Sequence, residues 1–240
     1  GELAIAPYDE AHLGAADAVF LATPHGTSAP LARAALEAGA RVLDLSAAFS
    51  SLPLPRGNRV GLMTLGGGWG VVASDLCVEN GLTIPDLPPD LISRIDEILP
   101  PYWSRSNPID LVGKFNPKIA MQVMDELVKW EGCDAVLHLG IVGRMASVKQ
   151  MIRSIHEVDP VMDRKFLDAI PGALVEFENR FTIHMVHLME KSGKPILGVN
   201  LLPNENARTI MDVEWSPYKG VSFLTPERSV KALARMNAYR

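Results

Sequence analysis

The stretch Val60-Gly-Leu-Met-Thr-Leu-Gly-Gly-Gly-Trp-Gly70 decides the fold. Residues 60–63 are apolar, and residues 60–64 predict a buried β-strand, whereas residues 66–70 predict a glycine-rich turn. A helix is expected over residues 71–79, ended by a glycine, and residues 82–84 predict the next strand. A strand, a turn, a helix and a second strand form the repeating unit of a parallel sheet covered by helices.

The same alternation continues toward the end of the chain. Further strands are predicted over residues 135–139, 194–199 and 221–224. Helices are predicted over residues 90–99, 117–130, 145–192 and 226–239, the third with breaks at Pro160 and Pro171, and residues 100–110 are expected to be an irregular loop. Asn116 and Thr225 stand where helix N-caps are preferred, and Pro117 occupies the favourable first helical position.

The N-terminal region repeats the pattern on a smaller scale. Strands are predicted over residues 18–23 and 41–45, with a turn at 24–28 and a helix over 29–38. The run Ser-Ser-Leu-Pro-Leu-Pro-Arg-Gly-Asn at 50–58 predicts an extended linker. The expected organisation is therefore a partial β-α-β segment (1–49), a linker (50–58) and a larger α/β domain (59–240). Whether the N-terminal piece extends the second sheet or stands apart is open from the sequence.

Composition excludes several classes of protein. The 240 residues are 48% hydrophobic and 21% charged, which is typical of a globular chain. No apolar run approaches the roughly 20 residues of a membrane span, and a net charge of −5 argues against nucleic-acid binding. Two cysteines without CxxC spacing predict neither structural zinc nor a disulfide framework, so a reduced cytoplasmic protein is expected. The start at Gly1 suggests a piece of a longer protein or an engineered chain.

Two glycine turns are the main candidate binding sites. Gly66, Gly67 and Gly68 lie between a strand and a helix, where exposed N–H groups and the helix dipole favour an anion such as phosphate or a nucleotide. The sequence there matches neither GxGxxG nor GxxxxGK[ST], and close packing is the alternative explanation. The second candidate is formed by the residues Gly140, Ile141, Val142, Gly143 and Arg144, which follow the strand at 135–139. Its alternative is an ordinary βα turn with a solvated arginine.

Other polar residues are weaker candidates. Asn107 and Asp110 could bind a ligand or simply bond nearby backbone in a turn. His184 and His187 are three residues apart on a predicted helix, a metal-binding spacing that lacks a third ligand, so packing or exposure is favoured over metal binding. Cys77 is expected to be a buried small hydrophobe. No GxSxG elbow is present, and we predict no catalytic residue and no metal site.

Residues 52–240 resemble the ADP-forming acyl-CoA synthetases. The resemblance is carried by the segments Pro53-Leu-Pro-Arg-Gly-Asn-Arg-Val60, Thr64-Leu-Gly-Gly-Gly-Trp-Gly70, Asn107-Pro-Ile-Asp-Leu-Val-Gly113 and Thr225-Pro-Glu-Arg-Ser-Val-Lys-Ala232. It implies a flavodoxin-like, Rossmann-like domain corresponding to the C-terminal domain of the succinyl-CoA synthetase β-subunit. In that family the helix matching the one after Gly140 faces a phosphorylated histidine.

Residues 15–49 resemble part of the NADP-binding domain of N-acetyl-γ-glutamyl-phosphate reductase. The carrying segments are Ala16-Asp-Ala-Val-Phe-Leu-Ala-Thr-Pro-His-Gly-Thr-Ser28 and Val42-Leu-Asp-Leu-Ser-Ala-Ala-Phe49. The resemblance places His25 near a cofactor, but the glycine fingerprint and catalytic cysteine segment of that family find no match. NADP binding is therefore not expected, and a loop histidine is the favoured interpretation. A possible chimera, with a seam between about Asp44 and Ser51, is one hypothesis, and a divergent natural N-terminal arm is the other.

The synthetase resemblance implies a function that the chain cannot perform alone. The phosphohistidine segment and the ATP-grasp nucleotide domain of that family are not found in these residues. The expected role is to present helix N-termini to a phosphohistidine or phosphate, with phosphate or ADP as possible ligands. The expected partners are other synthetase domains or subunits that carry the missing parts. The alternatives are a recombined α/β scaffold without catalysis and, more weakly, a fragment of an NADP-dependent acyl-phosphate reductase.

Overall fold

The computed structural model describes residues 18–20, 41–43, 46–113, 116–159, 161–200 and 210–239. The chain divides into two units, Gly1–Ser50 and Ser51–Arg240. In the first unit, β1 (Ala18–Phe20) and β2 (Arg41–Leu43) form a two-stranded parallel sheet in which Ala18 pairs with Arg41. The predicted strands at 18–23 and 41–45 are thus confirmed where they are described. The predicted turn at 24–28, with His25, and the predicted helix at 29–38 lie outside the described residues.

The second unit contains a separate six-stranded sheet. Its strands are β3 (Val60–Thr64), β4 (Ile109–Asp110), β5 (Ala135–Leu139), β6 (Ile196–Val199), β7 (Ile210–Met211) and β8 (Gly220–Phe223). Their spatial order is β4-β3-β5-β6-β8-β7, and every neighbouring pair is parallel except β7 with β8. The described residues of β1 and β2 pair with each other in a separate sheet. They do not extend the six-stranded sheet.

Seven helices are described. They are α1 (Ser46–Ser51), α2 (Gly67–Glu79), α3 (Pro89–Asp96), α4 (Pro117–Lys129), α5 (Met145–Val158), α6 (Arg164–Ser192) and α7 (Pro226–Tyr239). Helix α2 packs with α7, whereas α4 and α5 both pack with α6, so the sheet lies between helical layers. The predicted caps are confirmed: Asn116 accepts a hydrogen bond from the Lys118 amide, and Thr225 accepts one from the Arg228 amide. Within the described residues, every helix is too short or too polar to cross a bilayer.

Strand order identifies the edge of this sheet at which open α/β folds bind their ligands. Without the antiparallel β7, the five strands have the order 2-1-3-4-5 of flavodoxin-like folds, and the chain reverses direction across the sheet between β3 and β5. Open α/β sheets bind ligands beyond the carboxyl ends of the strands at this reversal point. Both glycine turns follow these two strands, which pair in register from Val60 with Ala135 to Thr64 with Leu139.

Three sequence predictions were wrong. Residues 82–84 form only an isolated bridge, in which Thr83 pairs with Arg59, rather than a strand. Residues 109–110 were assigned to a loop, yet they form the edge strand β4. Pro171 does not interrupt α6, because Leu167 and Leu174 on either side of it are buried on the inner side of one continuous helix. Proline removes one hydrogen bond, and packing on both sides can hold the helix despite that loss.

The segment predicted as a linker lies mostly in the second unit. Leu52, Pro53 and Pro55 are buried, whereas Leu54 is exposed. The backbone carbonyl of Ser51 accepts a hydrogen bond from the Lys219 amide. The domain limits 1–49, 50–58 and 59–240 stay predictions, beside the observed division after Ser50.

Candidate functional site

Two loops meet at the carboxyl edge of the sheet. We call residues 65–70, after β3, the first glycine turn and residues 140–144, after β5, the second glycine turn. The Leu65 amide donates to the Leu139 carbonyl at 3.2 Å, so the two turns leave neighbouring strands at the same level. Each turn leads into a helix, α2 or α5, whose first N–H groups carry the positive end of the helix dipole.

The first glycine turn is uncrowded. A Cβ atom added at Gly66 or Gly68 would have no neighbour within 4 Å among the described residues, and Gly66 has an ordinary extended backbone with φ −156°. Neither residue needs to be glycine for packing or for backbone conformation. Helix α2 begins at Gly67, four residues before the predicted start at Val71, and no side chain of the described residues caps its N-terminus.

Two other residues of this region fix its shape. A Cβ at Gly70 would lie 3.1 Å from both Pro108 and Thr64, so Gly70 allows close packing, as the alternative explanation for this turn proposed. The fully buried Thr64 hydroxyl donates to the Gly66 carbonyl at 2.9 Å and lies 3.3 Å from the Gly66 amide. Sequence reasoning missed Thr64, because its role depends on a local hydrogen bond rather than on a motif.

Asn107 and Asp110 differ in what their side chains do. Asn107 accepts from the Leu62 amide at 2.9 Å and donates to the carbonyls of Val60 and Pro85, so its amide ties β3 to a neighbouring loop. Asp110 accepts from the Val112 amide at 2.8 Å, a local turn bond. Its other carboxylate oxygen would lie 3.1 Å from a Cβ at Gly67, which puts a negative charge beside the start of α2.

The second glycine turn is filled by its own chain. Gly140 and Gly143 adopt φ of +73° and +78°, where glycine is strongly favoured. The side chains of Ile141 and Val142 are buried and do not face solvent. A Cβ at Gly143 would come within 2.5 Å of the Asn200 side chain. The predicted residues of this turn are therefore together, and the amides of Gly143 and Arg144 lie directly before the start of α5.

A carboxylate already binds these backbone groups. Glu178 Oε1 accepts hydrogen bonds from the Gly143 amide at 2.9 Å and from the Arg144 amide at 3.2 Å. The half-buried Arg144 side chain also interacts with this carboxylate. Burial lowers the pKa of the Arg144 guanidinium, and the negative charge of Glu178 opposes that lowering. Glu178 lies on α6, 34 residues beyond Arg144, and no spacing rule connects it to this turn.

The remaining histidines and cysteines have structural surroundings. His184 Nε2 lies 2.7 Å from Asp125 Oδ1, and the exposed His187 ring meets Trp215 edge-on. Within the part of the chain that is described, no three metal-ligating side chains come together. Cys77 is buried as predicted, and burial raises the pKa of its thiol to about 12.

The amino edge of the sheet carries a cavity of about 720 Å³ with a different chemistry. Helices α4 and α6 end there, and basic side chains donate hydrogen bonds to the carbonyls at their C-terminal ends. The buried Lys194 ammonium donates to the carbonyls of Val128 and Trp130 at 2.7 Å, and the Arg56 guanidinium donates to the Ser192 carbonyl. These contacts satisfy carbonyls at the negative ends of the two helices, so Lys194 and Arg56 have a structural explanation.

Comparison with known proteins gives two matches. Residues 60–171 match the family model of the Ligase-CoA domain, and residues 1–89 match that of the semialdehyde dehydrogenase NAD binding domain. The α-subunit of ADP-forming acetate–CoA ligase II from Pyrococcus furiosus is 28% identical over 124 residues, 49% of this chain and 27% of that protein. N-acetyl-γ-glutamyl-phosphate reductase from Ectopseudomonas mendocina is 58% identical over 48 residues, 20% of this chain and 14% of the enzyme.

A solved structure shares the fold. Dinucleotide-forming acetyl-coenzyme A synthetase 1 from Candidatus Korarchaeum cryptofilum, in complex with phosphate and ADP, superposes with a TM-score of 0.55 and 22% identity over 89% of this chain and 41% of that one. Both resemblances predicted from the sequence are thus confirmed. The second unit contains a domain similar to the Ligase-CoA domain of ADP-forming acyl-CoA synthetases, and the chain spans less than half the length of each of these proteins.

Proposed function

We propose that this chain supplies a non-autonomous domain of an ADP-forming acyl-CoA synthetase, which presents the N-termini of α2 and α5 to a phosphoryl group. The observation that carries the proposal is the position of both glycine turns at the reversal point between β3 and β5. Two helix N-termini that converge on one place stabilise a dianion better than one, by about 1–2 kcal/mol each in a partly buried setting.

The phosphoryl group would come from another part of the synthetase. By resemblance, a histidine on a different domain or subunit carries it, and an ATP-grasp domain supplies the nucleotide. Exposed apolar side chains beside the first glycine turn support such a contact: Trp69, Val71 and Val72 on α2 are 44%, 61% and 41% exposed. Apolar side chains clustered next to a polar site are typical of a surface that another protein or domain covers.

The residues of the site have distinct proposed roles. The amides that follow Gly66 at the start of α2 would donate to phosphoryl oxygens, and the open space at Gly66 and Gly68 would let the ligand approach the backbone. The amides of Gly143 and Arg144 would serve from the other side. The Arg144 guanidinium would add a charge-assisted contact, which is roughly twice as strong as a neutral hydrogen bond.

Calorimetric titration of the full chain tests this proposal. Phosphate and ADP should bind, and Arg144→Ala should weaken phosphate binding about tenfold because it removes one charge-assisted contact. Arg153→Ala is the matched control, since Arg153 is an exposed arginine on the same helix and should leave binding unchanged. If neither phosphate nor ADP gives a binding heat, the alternative of a recombined scaffold without ligand is favoured.

The reductase fragment remains a second candidate, favoured by the match of residues 1–89 to an NAD-binding domain. It differs from the first proposal in its ligand. NADP titrated into the same sample should give no heat change if the synthetase interpretation holds. Saturable NADP binding that persists in Arg144→Ala would instead support a dinucleotide site in the reductase-like region, independent of the second glycine turn.

A further inference from the structure

Glu178 holds the backbone groups that would bind an anion at the second glycine turn. Its Oε1 atom accepts from the Gly143 amide at 2.9 Å and from the Arg144 amide at 3.2 Å. These N–H groups lead into α5 and belong to the donors that an anion meets at the start of a helix. The carboxylate therefore stands where an oxygen of a bound phosphoryl group would stand.

This contact is not a local helix cap. Helix α5 receives no side-chain cap from Arg144, the residue at its own N-cap position. The carboxylate comes instead from α6, which packs against α5, so a tertiary contact decides whether it reaches the turn. A cap of this kind can leave when α6 shifts or the Glu178 side chain rotates, while the α5 backbone stays in place.

A second polar group points at the same turn. Asn200, directly after β6, is 4% exposed, and its side chain lies against Gly143, with Oδ1 2.6 Å from where a Cβ would be. Its Oδ1 atom has no hydrogen-bond partner among the described residues. Buried polar atoms are normally paired, and the Asn200 side chain carries an NH2 donor beside this unpaired acceptor. Rotation of the amide would turn that donor toward an anion at the turn.

We propose that Glu178 is a built-in competitor that makes the second glycine turn selective for dianionic phosphoryl groups. This inference rests on the proposed function, because it concerns the same turn. A monocarboxylate offers the amides no more than Glu178 does, and it must replace a carboxylate that is already attached to the chain. A phosphoryl dianion carries more charge and more acceptor oxygens, and it displaces Glu178 to engage both amides and the Arg144 guanidinium. The Asn200 side-chain amide then lies beside the bound group, where rotation lets it donate.

Backbone amide NMR of the full chain tests this competition. Phosphate should shift the Gly143 and Arg144 resonances of the wild type, whereas acetate should not. Glu178→Gln keeps an acceptor for the amides but removes the charge, so it should bind phosphate about five- to tenfold more tightly. Glu178→Ala should also allow acetate to shift both resonances. Glu176→Gln makes the same charge change on α6 at an exposed position and should leave the phosphate affinity unchanged.

The outcomes separate the two proposals. If phosphate shifts both resonances but binds Glu178→Gln no more tightly than the wild type, the competitor role is overturned and the phosphate site stands. If acetate binds the wild type as well as phosphate does, the proposed selectivity is wrong. If phosphate shifts no amide of either glycine turn in the wild type or in any Glu178 variant, the proposed function itself fails.

Discussion

The two glycine turns occupy equivalent places and differ in what fills them. Both follow central parallel strands at the reversal point of the sheet, and both lead into a helix. Among the described residues, the first glycine turn has open space at Gly66 and Gly68 and no side-chain cap. The second is packed against Asn200 and capped by Glu178. Similar sequence patterns therefore give one turn that no described side chain fills and one that is closed by its own chain.

The largest expected effect comes from adding one methyl group to each turn. Gly143→Ala should lower the free energy of unfolding by about 2–3 kcal/mol, because φ is +78° and the new Cβ would meet Asn200. Gly68→Ala should raise it by about 0.5–1 kcal/mol, because the position is helical and uncrowded. Urea unfolding of both variants measures the difference. Equal effects at the two positions would contradict the contrast between the turns.

The second effect concerns the strands that lead into the turns. His138 is the fourth of the five residues of β5, is fully buried, and has a pKa lowered by burial to about 3, whereas β3 contains no titratable side chain. The unfolded state therefore binds a proton below pH 6.5 that the folded state refuses until about pH 3. The contribution of the neutral His138 to stability should be fully present above pH 6.5. Below that pH, the free energy of unfolding should fall by up to about 1.4 kcal/mol per pH unit.

Urea unfolding between pH 7 and pH 5 measures this slope. His138→Gln should flatten it, and His187→Gln, at an exposed histidine, should leave it as in the wild type. A slope that survives His138→Gln would assign the pH dependence to other groups. His138 also stacks edge-on against Phe181, with the ring centroids 5.3 Å apart, so the comparison is best made by slope rather than by absolute stability.

A third, smaller effect measures the cap itself. Glu178→Ala should lower the free energy of unfolding by about 1 kcal/mol, because it leaves the start of α5 without its acceptor. Glu178→Gln should cost less, since the amide oxygen can still accept. Thermal or urea unfolding of the pair gives both values, and a larger loss for Gln than for Ala would argue against the cap.

The smallest effect is expected from a substitution that gives the first glycine turn a carboxylate cap like that of the second. Gly66→Asp places a carboxylate at the uncapped start of α2, where the extended backbone suits an N-cap residue. The variant should gain about 0.5 kcal/mol relative to Gly66→Ala in unfolding experiments, through the cap and the helix dipole. Phosphate titration should show weaker binding at this turn. Tighter phosphate binding in Gly66→Asp would contradict the proposal that the first glycine turn binds an anion.

The regular elements were largely predictable because local pattern determines them. The apolar runs of β3 and β5 and the capping residues Asn116 and Thr225 gave correct elements. Strands β4 and β7 were missed because each has two residues, too few for any periodicity. Residues 82–84 have a strand-like composition, but Thr83 makes only an isolated bridge, through the backbone hydrogen bonds it forms with Asn58 and Val60.

By itself, the sequence determined the α/β alternation, the two glycine turns and the resemblance of each region to a known family. Those properties depend on residues close together in the chain. Tertiary structure decided that the turns meet at the reversal point, that Asn107 ties β3 to its neighbour, and that Glu178 closes one turn while the other stays open. These contacts join residues 22 or more positions apart, and no local periodicity specifies which side chain arrives at a given backbone N–H.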